Sequence, residues 1–325
     1  MLFLVVADLY SWARDPETPL LVFVLVAYLV ALYGLAEFVS GRSPIYQTIF
    51  STENEAYLRL SPDPWFGKRI LSSIGHPVFA GTYLVLSLPV SVRFVFRAKT
   101  AVARSAFLAG SLTLLSALIL TFSRGSWVAG LVSLGVYLKW QGRRYLFGAM
   151  LALCVVLILF LSFGGASALF KERVRDIYDQ YVLRFSSTTR GQSFAYVAAI
   201  VDRYPLLGVG AGMYRFSAYV LRTSTAPFAL DTPDNMYLIW MAEHGALGMC
   251  VVIFIFVLLF KLLLQASTTS ENPDCQAIAR VFIASFVGFC VNMLTCSALN
   301  FPVTRVVFWI LAGLAIAFVR REAPK

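Results

Sequence analysis

Residues 236–262 read MYLIWMAEHGALGMCVVIFIFVLLFKL, and this stretch decides the class of the protein. Its apolar run exceeds the roughly 20 residues needed to cross a hydrocarbon core about 30 Å thick. Its only acidic or basic side chains are Glu243, His244 and Lys261. Comparable runs recur on both sides and predict further spans near Leu20–Phe38, Val78–Phe96, Ser105–Phe122, Trp127–Trp140, Leu146–Phe163, Ala277–Leu299 and Val303–Val319, eight in all. The expected fold class is all-α: a polytopic transmembrane helical bundle with a long helical extracytoplasmic loop. Trp127–Trp140 is short for a bilayer and calls for small tilt, snorkelling flanks or partial enclosure by protein.

Composition agrees, since 59% of the chain is apolar and 14% charged, against roughly 25% charged in an average soluble domain. Lipid must solvate much of such a surface. A length of 325 residues alone would allow two soluble domains, but the repeated runs leave no separate soluble catalytic domain. The formal charge of +10 is the balance of a membrane protein whose cytoplasmic loops face anionic lipid, and it argues against nucleic acid as a partner. Cys154, Cys250, Cys275, Cys290 and Cys296 form no C-x-x-C pair, and all but Cys275 fall in apolar spans. They read as small core residues, with neither a disulfide framework nor a metal site indicated. Met1–Trp12 lacks the basic start and small-residue cleavage site of a signal peptide. It looks like the end of a helix, which leaves open that the chain begins inside a longer protein.

Orientation follows from lysine and arginine in the short connections. Arg93, Arg97, Lys99 and Arg104 form one acid-free run and Lys139, Arg143 and Arg144 another, and both are expected in the cytoplasm. Counting spans puts Arg320, Arg321 and Lys325, and so the C-terminus, there too. Ser123–Ser126, Gly164–Asn235 and Asn300–Pro302 then face outward. The neighbourhood of Arg14 is an exception, because Asp8, Asp15 and Glu17 outnumber it. Trp12, Trp127, Trp140 and Trp240 near span ends fit an interfacial belt. The expected organisation is residues 1–163 as N-terminal membrane helices (about five spans), 164–235 as an extracytoplasmic helical loop, and 236–325 as C-terminal membrane helices (about three).

Gly41–Pro77 reads as an irregular outer loop, whereas Gly164–Asn235 is too long to be structureless. Leu169–Val182 has the interleaved charge of an interfacial helix. Ser187, Thr188 and Thr189 offer caps for a second helix, with Phe194, Val197, Ala198 and Val201 at i, i+3, i+4 and i+7 as its packing face. Pro205 ends it, and the glycines of Leu206–Gly212 permit tight turns. Their G-x-G-x-G spacing is not a dinucleotide fingerprint.

The loop 164–235 holds seven arginines (Arg173, Arg175, Arg184, Arg190, Arg203, Arg215, Arg222) and one lysine against six acids. Guanidinium binds phosphate oxygens in pairs, although an arginine on a surface is most often merely solvated. Arg190 stands out because it lies at an expected helix start, where free N–H groups and the helix dipole favour an anion. Arg124, in the turn Phe122–Ser126, is either a ligand or an arginine snorkelling at the interface. His76 starts the second span and can reach an outer site. Glu243 sits about two turns inside the sixth span, where an ionisable group is either functional or satisfied by neighbouring helix groups. Asp234 and Asn235 open that span, and helix capping is an equal explanation for them.

In order, Phe122-Ser-Arg-Gly-Ser-Trp127, Arg190-Gly191, Asp202-Arg-Tyr-Pro-Leu-Leu-Gly-Val-Gly-Ala-Gly-Met-Tyr214, Asp234-Asn-Met-Tyr-Leu238 and Ala242-Glu-His-Gly-Ala-Leu-Gly248 resemble the O-antigen ligase and polymerase family, with Gly75-His76-Pro77 at a span start. The resemblance covers about Gly75 to Gly248. It implies a glycosyltransferase of the bacterial cytoplasmic (inner) membrane that uses a polyprenyl-diphosphate-linked glycan on the periplasmic face and transfers it to a saccharide or lipid A-core acceptor, with no metal, nucleotide sugar or other cofactor. By motif position Arg124 and Arg190 inherit the diphosphate, with Arg215 as an addition; His76, Asn235 and Glu243 are further substrate-binding candidates. Members of the ligase branch typically carry His-Asn where this chain has Asp234-Asn235, so Asp234 takes the place of the proposed base. Polymerisation of lipid-linked repeat units is the alternative within the family. A lipid-linked sugar transporter and a non-catalytic membrane partner are alternatives from other classes; no paired broken helices or internal repeats of a transporter are evident in the sequence.

Overall fold

The structure, a computed structural model, describes residues 17–40, 69–142, 189–216 and 233–322, together with Val6, Asp8, Ser43 and Tyr145. Among them there is no β-strand. The helices are α1 (Thr18–Ser40), α2 (Pro77–Arg97), α3 (Ala101–Leu120), α4 (Arg124–Gln141), α5 (Thr189–Arg203), α6 (Met236–Thr269), α7 (Pro273–Met293) and α8 (Pro302–Glu322). Six of them, α1, α2, α3, α6, α7 and α8 up to Arg320, are long and apolar enough to cross a membrane. The protein is therefore a multi-pass helical bundle. The expected fourth span is α4, an 18-residue helix with Arg124 and Lys139 near its two ends, which is not among the six. The expected fifth span, Leu146–Phe163, and the expected helix at Leu169–Val182 lie outside the described residues.

The chain divides into two compact units, Met1–Tyr137 with Phe256–Lys325, and Leu138–Ile255. In the first unit α2 is the central helix. Its residues from Ala80 to Ser91 are buried throughout, including Thr82, Ser87 and Ser91. Those hydroxyls are satisfied where they stand: Thr82 and Ser87 donate to the carbonyls of Val78 (3.0 Å) and Tyr83 (2.8 Å), and Ser91 meets Tyr28 Oη (2.7 Å) and Ser111 (2.6 Å). Between membrane helices apolar burial gives little net drive, so hydrogen bonds and close packing set the partners. Ser285 donates to Leu86 O and Ser133 to Ala284 O, both at 2.9 Å, and Phe289 stacks on Phe308 with centroids 4.4 Å apart. By contrast α1 turns Val22, Leu25, Val26, Leu29 and Leu32 outward, as a lipid-facing helix must.

Two local signals shift helix ends from their expected places. Thr100 Oγ1 accepts from Ala103 N (3.1 Å), so α3 starts at Ala101, ahead of the expected Ser105. The expected span Ala277–Leu299 becomes α7 from Pro273 to Met293, because Asn272 caps its start and tighter turns begin at Leu294 and Thr295.

The basic run at the end of α2 is acid-free in sequence but not in space. Buried Arg93 pairs with Glu17 (2.7 Å) and approaches Asp274 (3.8 Å), while Arg97 also pairs with Glu17. Glu17, which counted against the charge rule around Arg14, is thus a partner of the basic cluster.

Candidate functional site

In the first unit, one end of the bundle gathers His76, Arg69 and the turn that carries Arg124. His76 caps α2: its Nδ1 accepts from Val78 N (3.3 Å), Pro77 occupies the first helical position, and the ring packs on Phe79 at 4.9 Å. Burial, helped by the nearby Arg69 cation, pulls its pKa down to about 4. The ring is therefore neutral at pH 7, as an accepting Nδ1 requires.

Arg124 is exposed at the first position of α4. The turn before it is built by side chains. Phe122 sits at φ 49°, a left-handed conformation costly for a residue with a Cβ. Arg69 holds it there, donating Nε to Thr121 O (2.8 Å) and Nη2 to Phe122 O (3.5 Å). On the bundle side Ser126 Oγ donates to Ser123 Oγ (2.9 Å) and to Asn292 Oδ1 (3.3 Å), and Asn292 Nδ2 donates to Thr82 Oγ1 (2.7 Å). A Cβ at Gly125 would collide with the Thr295 side chain, and one at Gly81 with Ser126. Glu37, buried in α1, accepts from Ser72 N (2.7 Å) and Leu71 N (3.3 Å) and so fixes the 3-10 turn Ser72–Ile74 ahead of His76. Sequence reading passed over Arg69, Glu37, Thr82 and Asn292. Asn292 and Glu37 carried a usable signal as polar groups inside apolar spans; Arg69, in the irregular loop, carried none.

In the second unit α5 begins at Thr189, so Arg190 falls in its first turn as expected. The buried face, however, is Ser193, Val197 and Ile200, with Tyr196 and Val201 half-buried. Of the expected face only Val197 and Val201 turn inward, whereas Phe194 and Ala198 are exposed. The helix is rotated because Val197 and Ile200 pack with Tyr214, Ala242 and Leu238. Arg215 lies in the 3-10 turn Tyr214–Phe216. The Tyr214 phenol, edge-on to Tyr196 at 5.7 Å, is pushed up to about 12 by burial, against the lowering influence of Ser193.

The expected sixth span contains a break. Gly245 has φ 62° and ψ −165°, which separates Met236–His244 from Ala246–Thr269. A helix break frees carbonyls on one side and N–H groups on the other. The glycine-rich turn after α5 takes up both: Val209 N and Gly210 N donate to Ala242 O and Glu243 O (each 2.9 Å), and Ala246 N and Leu247 N donate to Pro205 O (2.8 Å) and Leu206 O (3.1 Å). Such close backbone approach leaves no room for side chains. A Cβ at Gly208 (φ 65°) would stand 2.5 Å from Ala242 O, and one at Gly245 would run into the Leu206 carbonyl group. Glu243 is buried and its Oε1 accepts from Tyr214 N (3.3 Å). Its carboxylate thus holds the segment bearing Arg215.

Of the pair that opens α6, Asn235 is the cap: its Oδ1 accepts from Tyr237 N (2.9 Å) and Leu238 N (3.2 Å). Asp234 beside it is exposed. The turn fastens the C-terminal end of α5 to the C-terminal end of Met236–His244, and their middles pack together. Arg190 stands in the first turn of one segment and Asp234–Asn235 at the start of the other. Five expected site residues (Arg190, Arg215, Asp234, Asn235, Glu243) fall in this unit; His76 and Arg124 belong to the first.

Among the described residues no group of three or more His, Cys, Asp or Glu could hold a metal ion. No curated protein matches the chain. The model of the O-antigen ligase family matches residues 109–264, a stretch that takes in the Arg124 turn, α5, the glycine turn and most of the broken helix, so over these residues this multi-pass membrane protein is similar to the O-antigen ligase family.

Proposed function

We propose that the protein transfers a glycan from a polyprenyl-diphosphate donor to a saccharide hydroxyl at the extracytoplasmic, periplasmic face of a bacterial inner membrane. The match to the O-antigen ligase family supports glycan transfer, and one observation carries the residue assignment: the glycine turn ties α5, which bears Arg190 in its first turn, to the helix opened by the exposed Asp234. Helix N-termini favour anions, and guanidinium adds paired donors, so the diphosphate belongs there. Arg190 holds it, with Arg215 as a further cation, and the family motif assigns Arg124 to phosphate as well. Asp234 accepts the proton of the acceptor hydroxyl. That oxygen attacks the anomeric carbon from the opposite side while the bond to the diphosphate breaks, so the configuration inverts. The departing charge is met by preorganised arginines, which supply the stabilisation without a metal. Asn235 and Glu243 act as supports, one capping the helix behind Asp234 and the other holding the Arg215 segment.

A transporter of lipid-linked sugar would use a broken helix to coordinate its cargo or coupling ion. Here the groups released at Gly245 are engaged by the turn Pro205–Gly210, which favours catalysis over transport.

The test is incubation of the purified protein in detergent with a polyprenyl-diphosphate oligosaccharide and candidate acceptors, followed by mass spectrometry. The expected result is a glycosylated acceptor and free polyprenyl diphosphate, and chains of increasing length would identify the polymerase form of the reaction. Arg190→Lys keeps the charge but loses the planar fork, so its transfer rate should fall at least about tenfold. A full rate in the triple variant Arg124→Ala, Arg190→Ala, Asp234→Ala would end this reading.

A further inference from the structure

The turn that closes the helix break, and the short segment after it, carry exposed apolar side chains. Leu206 is 61% exposed and Leu207 72%, with Met213 and Phe216 also exposed. A soluble protein seldom displays such a patch without use for it.

The depth of this patch follows from its bonds. Pro205 and Leu206 accept hydrogen bonds from Ala246 and Leu247, the first residues after the break. From Ala246 to Gln265 the helix runs 20 residues with Lys261 as its one charge, enough by itself to cross a hydrocarbon core of about 30 Å. The break therefore lies at the membrane boundary, and Glu243 and His244 stand at its edge. Leu247, Val251 and Phe254 are exposed on this span, and Leu206 is bonded to the backbone at its top, so the patch continues a lipid-facing surface. At its neck Arg203 lies over the Tyr204 ring at 5.9 Å. A cation beside an aromatic ring above apolar side chains is the pattern of a segment resting in a headgroup layer.

We infer that Leu206, Leu207, Met213 and Phe216 form a membrane anchor that inserts into the leaflet where the Ala246 span begins, with Arg203 and Tyr204 at the phosphate level. The occupant is bulk lipid. The inference does not depend on glycan transfer, and it gives the turn a second role, that of fixing the height of α5, and of Arg190 with it, above the membrane.

The test places one cysteine at Leu207 in the full chain with the five native cysteines replaced by alanine, labels it with an environment-sensitive fluorophore and reconstitutes the protein in phosphatidylcholine–phosphatidylglycerol nanodiscs. Asp202→Cys, on the exposed face of α5, is the reference. Insertion requires that lipids with a nitroxide high on the acyl chain quench the Leu207 probe severalfold more than the Asp202 probe, and that aqueous iodide does the reverse. Equal iodide quenching at both positions overturns the inference, and so does a Leu207 probe reached by neither quencher, which would mean a protein partner covers the patch. If the cysteine-free protein does not fold, a photoreactive amino acid at Leu207 in the native chain reports the same contact, through crosslinks to lipid or to protein. Transfer activity is not the readout, so loss of the catalytic reading would leave this result standing.

Discussion

Two turns position residues of the proposed chemistry, and they are held by opposite means. The Phe122–Ser126 turn, which presents Arg124, is fastened by side chains: the Arg69 guanidinium on two carbonyls, and a hydroxyl and amide chain through Ser126, Asn292 and Thr82. The Pro205–Gly210 turn, which fixes α5, is fastened by backbone hydrogen bonds to a broken helix. A turn tied by side chains can be loosened one bond at a time. A turn tied by backbone depends on the absence of side chains, so that a methyl group is the most damaging change it can meet.

The largest expected effect therefore comes from Gly245→Ala. It sets a Cβ against the Leu206 carbonyl at a positive φ, and should cost on the order of 3 kcal/mol, read as a fall in the detergent unfolding midpoint. A midpoint within error of the parent would mean the break is not backbone-locked.

Asn292→Ala comes next, because it strips Thr82 and Ser126 of a partner in a buried site. It should destabilise by about 1–2 kcal/mol and lower transfer through the Arg124 turn, with Asn292→Gln recovering little because the reach is wrong.

Glu243 sharpens the contrast further. If its role is to accept the Tyr214 N–H, then Glu243→Gln keeps the acceptor and should retain most activity, while Glu243→Ala loses about 1 kcal/mol and activity with it. Equal inactivation by both would move Glu243 from support to substrate contact.

The smallest effect is a dependence on pH at His76. Its folded pKa is depressed to about 4, below the unfolded value near 6.5, so its contribution to stability is present above pH 6.5 and lost as pH falls toward 4. Partial exposure reduces this to about 1 kcal/mol. Unfolding midpoints measured between pH 7.5 and 4.5 should show the decline in the parent and not in His76→Asn, which keeps a capping oxygen.

Much of the architecture was legible in the order of residues. Apolar runs marked eight spans, six of which are described helices long and apolar enough to cross a membrane; hydroxyls and Pro205 bracketed α5, and the ordered motifs carried the family resemblance. Arg190 at a helix start and the aspartate–asparagine opening of α6 were legible too, because capping chemistry is local. The rotation of α5 was not. Val201 and Ile200 are equally apolar, and only the position of Tyr214 and Ala242 decides which packs fully.

The sequence by itself determined that this is a lipid-solvated helical chain, where its described helices begin and end to within about two turns, and which family it resembles, since hydropathy, capping and motif order act over neighbouring residues. Tertiary structure alone decided that the second half of the Asp202–Tyr214 motif and the Ala242–Gly248 motif are two sides of one joint, that Glu17 answers Arg93, and that Arg69 and Asn292 hold the turn before Arg124. Those partners lie tens to hundreds of residues apart. Backbone hydrogen bonds leave no periodicity in the chain that makes them, so folding in three dimensions was needed to bring each donor to its acceptor.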